Sequence, residues 1–421
     1  MTMIKVAFDI SILGWGYYEN TCRAGIYRAV ENIAKGLIAS PECDVHLCSG
    51  DNLRRLFDTI DYLENGSPFQ QTSIPHSKML RRLFVLERAL YAPDRGASNG
   101  NKKPVSLPRK VVRRPLYSLT QWLETVCEPV SEASLKEADI YHSNFRSLPK
   151  RVQEKRNLKK FLTVYDKYHL ELIKGITPDT FALCISQSAL NDLMEFTDGK
   201  FDPALASIAY LAASPHNFLP CADKERIEKV RRKYGVPEGQ QYFLTVNSLE
   251  PRKNVDHTLR CFARLVREQN IKDLHFVLVG AKSWGCDYVH KAVEEMPDLQ
   301  DRIIITGWID DDDLAPLYSG SIAFFYMSLY EGFGIPPLEA MQCGIPVVTS
   351  NTSSLPEVVG DAGIMLDPAD ADGLCQAMWQ LYSQPDLRSE MAAKSLVQSK
   401  KFSWDRCAQD TIAAYHKALA S

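Results

Sequence analysis

Between Tyr330 and Ala340 the chain reads Y-E-G-F-G-I-P-P-L-E-A, two glutamates around a Gly-Phe-Gly turn and a proline pair. Pro336 and Pro337 suit the first turn of a helix, where an absent N–H costs nothing. Gly332 and Gly334 let the backbone on either side of Phe333 pass close to a ligand. A helix beginning here, directly after the apolar run Ile322–Tyr326, presents backbone amides and the positive end of its dipole, an arrangement that binds phosphate. Glu331 and Glu339 would then accept hydroxyl groups on either side of the phosphates. A ligand with sugar, diphosphate and ribose in a row fits that order. The competing reading of Glu339 is a capping box, which needs Ser, Thr, Asp or Asn three residues earlier. Position 336 is proline.

Arg252 and Lys253 are the matching cations. They follow the strand-like run Tyr242–Val246 and precede a helical pattern at about 254–269. Positive charge there stands at the wrong end of a helix dipole, which argues for an anion nearby. A departing diphosphate needs such cations, aligned amides or a metal ion. Asp310–Asp313 is the tempting metal cluster, but it follows a strand and opens a helix, where acids ordinarily offset the dipole. We therefore expect no metal and no cofactor. Trp308, after Gly307, either lines a pocket for a nucleotide base or packs against protein. Gly25 opens a helix after a long loop following Phe8-Asp9. Tyr165-Asp166 follows the run Phe161–Val164, and Ser186-Gln187-Ser188 reads as a helix cap.

The elements that must hold these residues alternate. Strand-like runs at Tyr242–Val246, His275–Val279, Ile303–Thr306, Ile322–Tyr326 and Pro346–Thr349 are separated by helical patterns at about 254–269, 287–296, 311–318 and 337–343. That spacing implies a parallel, doubly wound sheet, whose ligand crevice lies at the carboxyl ends of the strands. Arg252, Gly280, Gly307 and Glu331 all fall there. The amino half opens with Ile4–Phe8 and offers strands at Val45–Cys48, Ile140–His142, Phe161–Val164, Ala182–Ile185 and Ile208–Leu211. The fold class is α/β, with two Rossmann-like domains facing across a cleft. The expected domains are 1–215 and 216–402, followed by the last helix at 403–421.

The E-x7-E spacing from Glu331 to Glu339 resembles the signature of retaining, nucleotide-sugar-dependent glycosyltransferases of glycosyltransferase family 4, which have the GT-B fold. The resemblance extends through Ser248-Leu249-Glu250-Pro251-Arg252-Lys253-Asn254, Cys343-Gly344-Ile345-Pro346-Val347-Val348 and Leu355-Pro356-Glu357-Val358-Val359-Gly360-Asp361-Ala362. It is strong in the carboxyl half and thin in the amino half. It implies that 1–215 is the acceptor-side domain and 216–402 the nucleotide-sugar-binding domain, that Glu331 faces the donor sugar and Glu339 holds the nucleotide ribose, and that the last helix crosses back onto the amino domain. Gly25 resembles a glycine-containing loop that approaches the donor phosphates. Tyr165-Asp166 stands where the family usually has His-Asp, the histidine touching the donor sugar. Tyrosine can donate to a sugar hydroxyl, but with a pKa of about 10 it is a poor base at neutral pH. His169 is the nearby substitute, and Asp166 either orients an acceptor or sugar hydroxyl or is a solvated loop residue. Many relatives carry an arginine about six residues before the lysine, where this chain has Asn247 or Ser248.

The resemblance implies transfer with retention, from GDP-mannose as the favoured donor, to a glycan or lipid-linked acceptor in surface polysaccharide or glycoconjugate synthesis. Rhamnose, fucose, glucose and N-acetylglucosamine donors stay open. The alternative is a non-catalytic nucleotide-sugar-binding scaffold or regulatory subunit. An epimerase or a phosphorylase on the same architecture is a third reading, although no segment identifies the lysine that a phosphorylase would need for pyridoxal phosphate.

The 421 residues suggest more than one domain. A formal net charge of −3 gives no global field toward nucleic acid. Eleven scattered cysteines, with no C-x-x-C, suit a reducing cytoplasm. The amino terminus reads directly into a strand, without a signal-peptide core. No apolar run reaches the ~18–20 residues of a membrane span, so the expected location is the cytoplasm or the inner face of the membrane. Within a basic insertion at about 66–130, Lys78 to Arg114 holds eleven Lys or Arg against only Glu87 and Asp94. Its middle, Pro93–Pro108, is expected to lack regular structure. The whole is either a solvated insertion or a basic surface for anionic lipid or a lipid-diphosphate acceptor, with Leu80, Leu83, Phe84, Leu86 and Leu90 among the charges.

Overall fold

A computed structural model describes residues 3–19, 25–71, 74–91, 107–170, 176–280 and 287–421. The chain divides into two compact units. One holds Met1–Cys184, Asp192–Ala209 and Ala408–Ser421; the other holds Ile185–Asn191 and Tyr210–Cys407.

The first unit is built on a six-stranded sheet in the order β2-β1-β3-β4-β5-β6. Its strands are β1 Ile4–Asp9, β2 Cys43–Cys48, β3 Ile140–Ser143, β4 Lys159–Val164, β5 Thr180–Cys184 and β6 Ala206–Ile208. The second unit has a six-stranded sheet in the order β12-β11-β10-β7-β8-β9, made of β7 Gln241–Val246, β8 Leu274–Val279, β9 Ile303–Gly307, β10 Ala323–Tyr326, β11 Val347–Ser350 and β12 Ile364–Leu366. Every pairing in both sheets is parallel. Helices cover the faces, so inner strands are mostly apolar and buried; all residues of β5 and β8 are buried, Thr180 and His275 included. Phe243, Phe262, Phe276 and Phe325 pack edge-to-face or tilted at the centre of the second unit.

Several sequence expectations need correction. The long loop after Asp9 contains the helix Ser11–Glu19, packed on the helix Leu53–Asn65. Its glycines disguise it, yet Gly14 is what admits the contact: a Cβ there would lie 2.4 Å from the backbone nitrogen of Thr59. The strand expected at Ile208–Leu211 ends at Ile208, having begun at Ala206. The expected irregular stretch Pro93–Pro108 lies outside the described residues up to 106, and Leu107 and Pro108 open the helix Leu107–Val126. On the other side of that stretch, the helix Lys78–Tyr91 buries Phe84 against Phe57, ring centres 5.2 Å apart.

The last helix, Trp404–Ala420, contributes its residues from Ala408 onward to the first unit. The Tyr415 hydroxyl and His142 Nδ1 share a hydrogen bond of 2.6 Å, and His142 Nε2 lies 2.8 Å from the Thr163 hydroxyl. Burial pushes the His142 pKa down to about 3, so the imidazole is neutral and donates through one nitrogen while accepting through the other. Replacing Tyr415→Phe leaves one buried imidazole nitrogen without its partner. Urea unfolding is expected to show a loss of about 1–3 kcal/mol; an unchanged midpoint and slope would mean that this bond does not fasten the helix.

Candidate functional site

Parallel neighbours end at the same edge of a sheet, and this brings distant residues together. β10 pairs with β7, Phe324 opposite Leu244, so the segments after them meet although they are far apart in sequence. The order of strands reverses between β7 and β10, the switch point at which open α/β sheets bind ligands.

After β7 a short 3-10 turn, Pro251–Lys253, leads through Asn254, in left-handed conformation, into the helix Val255–Glu268. After β10 comes Glu331, only 7% exposed. Lys253 Nζ donates to Glu331 Oε1 at 2.6 Å and to the Tyr326 hydroxyl at 2.8 Å. Arg252 Nη1 reaches Glu331 Oε2 at 3.4 Å and the Tyr330 carbonyl at 3.1 Å, while its Nε donates to Glu250 at 2.8 Å. The three predicted charges therefore form one cluster, with Glu250 a fourth member.

Burial works to raise the Glu331 carboxyl, but Lys253 and then Arg252 outweigh it and hold the group below the ordinary 4.5. For Lys253, burial is the larger influence and lowers the ammonium, with Glu331 opposing it. Burial also disfavours the Arg252 charge, yet Glu331 and Glu250 carry that guanidinium above its usual value. The carboxylate held low and the guanidinium held high keep Glu331 and Arg252 charged at neutral pH, while burial weakens the hold on the Lys253 proton. Both Glu331 oxygens are occupied, but each has a second lone pair that can accept a sugar hydroxyl.

The Y-E-G-F-G segment is held by the hydroxyls of Ser353 and Ser354, which sequence reasoning missed, and of Ser186, which it read as a helix cap. Ser354 Oγ donates to the Glu331 carbonyl at 2.9 Å, and Ser353 Oγ accepts from the Glu331 amide at 2.8 Å. Ser186 Oγ donates to the Gly332 carbonyl at 2.7 Å while capping the helix Gln187–Phe196 through the Ala189 amide at 2.9 Å. Glu357 accepts from the amides of Gln187 and Ser188 at that helix start. The signal was available: Thr349-Ser350-Asn351-Thr352-Ser353-Ser354 is a run of small polar residues at the end of β11.

Gly334 precedes the helix Ile335–Gln342 with a φ of 99°, and a Cβ there would come 2.7 Å from Leu355. Pro336 and Pro337 are the second and third helical residues and lack an N–H, so the amides able to face an anion narrow to those of Phe333, Gly334, Ile335 and their neighbours. The Phe333 ring is buried against Tyr210 and Phe402, leaving its backbone as the part that can approach a ligand. Glu339 is buried in the same helix and accepts from the Tyr318 hydroxyl at 3.1 Å.

Trp308 is 70% exposed. With Lys233 and Asp310–Asp313 it lines an open depression of about 450 Å³. Lys233 bridges Asp310 at 2.9 Å and Asp313 at 2.6 Å, so two of those acids serve an ion pair as well as a helix start. Among the described residues, no group of three or more His, Cys, Asp or Glu could hold a metal ion.

The first unit holds the remaining predicted residues. Gly25 takes a φ of 52° before the helix Ile26–Ala39, with open space where a side chain would be. The Tyr165 ring is buried, edge-on to His169 at 5.1 Å. Asp166 Oδ1 accepts from the His169 amide at 2.8 Å and caps the short helix Lys167–Leu170. His169 is not displayed as a substitute ligand. It is buried, stacked on Phe145, and its Nε2 is engaged with the Phe145 carbonyl at 2.7 Å. Burial lowers its pKa, so it stays neutral and donates in that bond.

Comparison with known proteins gives this arrangement a class. Residues 226–396, within the second unit, match the family described as Glycosyl transferases group 1. The architecture is the GT-B glycosyltransferase fold: the sucrose-phosphate synthase from Thermosynechococcus elongatus superimposes with a TM-score of 0.63 at 17% identity, covering 100% of both chains. Among curated proteins, O-antigen chain mannosyltransferase B from Escherichia coli is 38% identical over 206 residues, 49% of this chain and 51% of that protein. Serotype-specific mannosyltransferase WbdA from Escherichia coli is 32% identical over 237 residues, 56% of this chain and 29% of that protein. The matched region thus spans about half, or less, of these relatives.

Two outcomes follow. Glu331→Gln removes the shared anion and leaves Lys253 buried without a counter-charge, at an expected cost of about 3–5 kcal/mol at neutral pH. Because the folded-state pKa of Glu331 is depressed, its contribution is full above the unfolded value and disappears as pH falls through the folded one. Urea titrations should show the gap between variant and parent closing in acid; a gap independent of pH would contradict an ionised cluster. Gly334→Ala forces a side chain into a left-handed backbone against Leu355, and chemical denaturation should register a loss of about 1–3 kcal/mol.

Proposed function

We propose that the chain is a retaining glycosyltransferase of family 4 that moves a hexose, with GDP-mannose as donor, onto a glycan or lipid-linked acceptor in surface polysaccharide synthesis. The cluster of half-buried Arg252 with buried Lys253 and Glu331 at the switch point of the second sheet carries the reading, and the similarity to two mannosyltransferases supports the choice of sugar. In this reading Arg252, Lys253 and the amides around Gly332, Phe333 and Gly334 take the diphosphate. Glu331 accepts from the donor sugar, Glu339 from the ribose, and Trp308 lies along the base. From the first unit, Gly25 approaches the phosphates, and Tyr165 and Asp166 orient sugar or acceptor hydroxyls.

The acceptor oxygen forms a bond to the anomeric carbon on the face that the diphosphate leaves. The bond from that carbon to the phosphate oxygen breaks with its electron pair, and a phosphate oxygen takes the acceptor proton. The two cations offset the growing charge, so the reaction proceeds without a metal ion. The protein works in the cytoplasm or on the inner face of the membrane. Among the described residues no helix is long and apolar enough to cross it.

A thermal-shift panel of GDP-, UDP- and dTDP-sugars tests the donor. GDP-mannose at 100 times its Kd should add about 2.7 kcal/mol, and Glu339→Ala should remove the shift. A product with inverted anomeric configuration by NMR would refute retention, and silence across the panel would refute the donor site itself.

A further inference from the structure

The strand β10 reads Ala-Phe-Phe-Tyr and is buried over its whole length. Packing accounts for its first three side chains and for the ring of the fourth. The Tyr326 ring stacks on Phe324, centres 6.0 Å apart and planes 18° from parallel, so a phenylalanine at 326 would fill the same place. The hydroxyl is what packing does not require, and a buried hydroxyl costs free energy unless it finds a partner.

The partner is Lys253, whose Nζ donates to the Tyr326 hydroxyl at 2.8 Å and to Glu331 Oε1 at 2.6 Å. An ammonium has three protons. Among the described residues Nζ has these two acceptors and no other, which leaves one N–H over. Glu331 alone would fix one direction and let the ammonium turn about it; a second acceptor fixes the third proton too. Burial, and then Glu331, push the Tyr326 pKa well above its ordinary 10, so the phenol keeps its proton and its oxygen accepts from the ammonium.

We propose that Tyr326 is a positioning residue of the donor site: its hydroxyl takes one ammonium proton of Lys253, Glu331 takes another, and the third is thereby held toward the donor diphosphate. The diphosphate in this arrangement rests on the donor-site reading above, whereas the hold on Lys253 does not. The groups facing Lys253 also decide its charge. Burial opposes the ammonium most, Glu331 from the segment after β10 favours it, and in its own loop Arg252 opposes it and Glu250 favours it; the balance lies below the ordinary 10.5. Tyr326 adds a neutral acceptor, which binds an ammonium more strongly than an amine.

Tyr326→Phe removes the hydroxyl alone, because the ring 5.2 Å from Nζ remains. Tyr318→Phe is the control: it deletes another buried hydroxyl, 3.1 Å from Glu339, on a ring that also packs on Phe324. The first readout needs no ligand. NMR of the full chain carrying 13C at lysine Cε, with Lys253→Met to assign the signal, should show Lys253 of Tyr326→Phe losing its proton about one pH unit below the parent. In Tyr318→Phe it should titrate with the parent. The second readout is calorimetric titration with GDP, UDP and dTDP over the same pH range. Affinity for the nucleotide that binds should fall as Lys253 loses its proton, and that fall should move to lower pH in Tyr326→Phe only. A Lys253 midpoint shared by parent and Tyr326→Phe would overturn the proposal, as would an affinity profile that stays in place while the midpoint moves. Binding of none of the three nucleotides by the parent, with the midpoint still moved by Tyr326→Phe, would instead refute the donor-site reading and the diphosphate with it.

Discussion

Everything at the carboxyl edge of the second sheet depends on holding Lys253 against Glu331 in a place that water hardly reaches, with Arg252 half-buried beside them. Each charge alone would cost several kcal/mol to bury, and mutual attraction offsets that cost only in good geometry. The geometry comes from topology. β7 and β10 are hydrogen-bonded neighbours that end together, so the two cations after one strand and the carboxylate after the other need no flexible reach. Such a cluster is a weak source of stability compared with apolar packing, which makes its presence at the switch point more informative about binding than about folding.

The same cluster limits what attracts a ligand. Two cations face two carboxylates, Glu331 and Glu250, so an approaching anion meets little net charge at long range. In the proposed reading, recognition rests on short-range donors: the ammonium and guanidinium protons that can turn from carboxylate to ligand, and the amides before Ile335. Serine hydroxyls from positions 353, 354 and 186 fix the backbone of Glu331 and Gly332, so those amides are ordered in advance. The orientation cost is met on folding.

What the sequence made legible follows the strength of local pattern. Parallel strands buried on both faces read as apolar runs, and nearly all those expected in the second unit appear within a residue or two. The Ser11–Glu19 helix was hidden because its glycines serve a close helix contact, which no local propensity records. Glu331 with Arg252 and Lys253 could be nominated from type and spacing, whereas their mutual pairing could not, since it arises from strand order. His169 shows the converse. Its proximity to Tyr165 in sequence suggested a ligand, but a neutral imidazole gains more from burial against Phe145 and a bond to that carbonyl than from exposure.

The first unit answers the same problem, polar groups at the ends of buried parallel strands, by a different route. Tyr415, His142, Thr163 and Asn144 form a connected chain that ends on the Asp9 carbonyl. Burial pushes the neighbouring Asp9 carboxyl up to about 6, with the Ser11 hydroxyl and amide opposing it. At neutral pH most Asp9 carboxyls remain ionised, so this edge keeps a buried negative charge to which the Ser11 hydroxyl and amide donate. A network that is closed in this way rigidifies a sheet and fastens the last helix, but it offers little to an incoming anion. The second sheet sets two cations beside its carboxylates instead, and that difference is the physical argument for proposing the cluster around Glu331, rather than the carboxyl edge of the first sheet, as the diphosphate site.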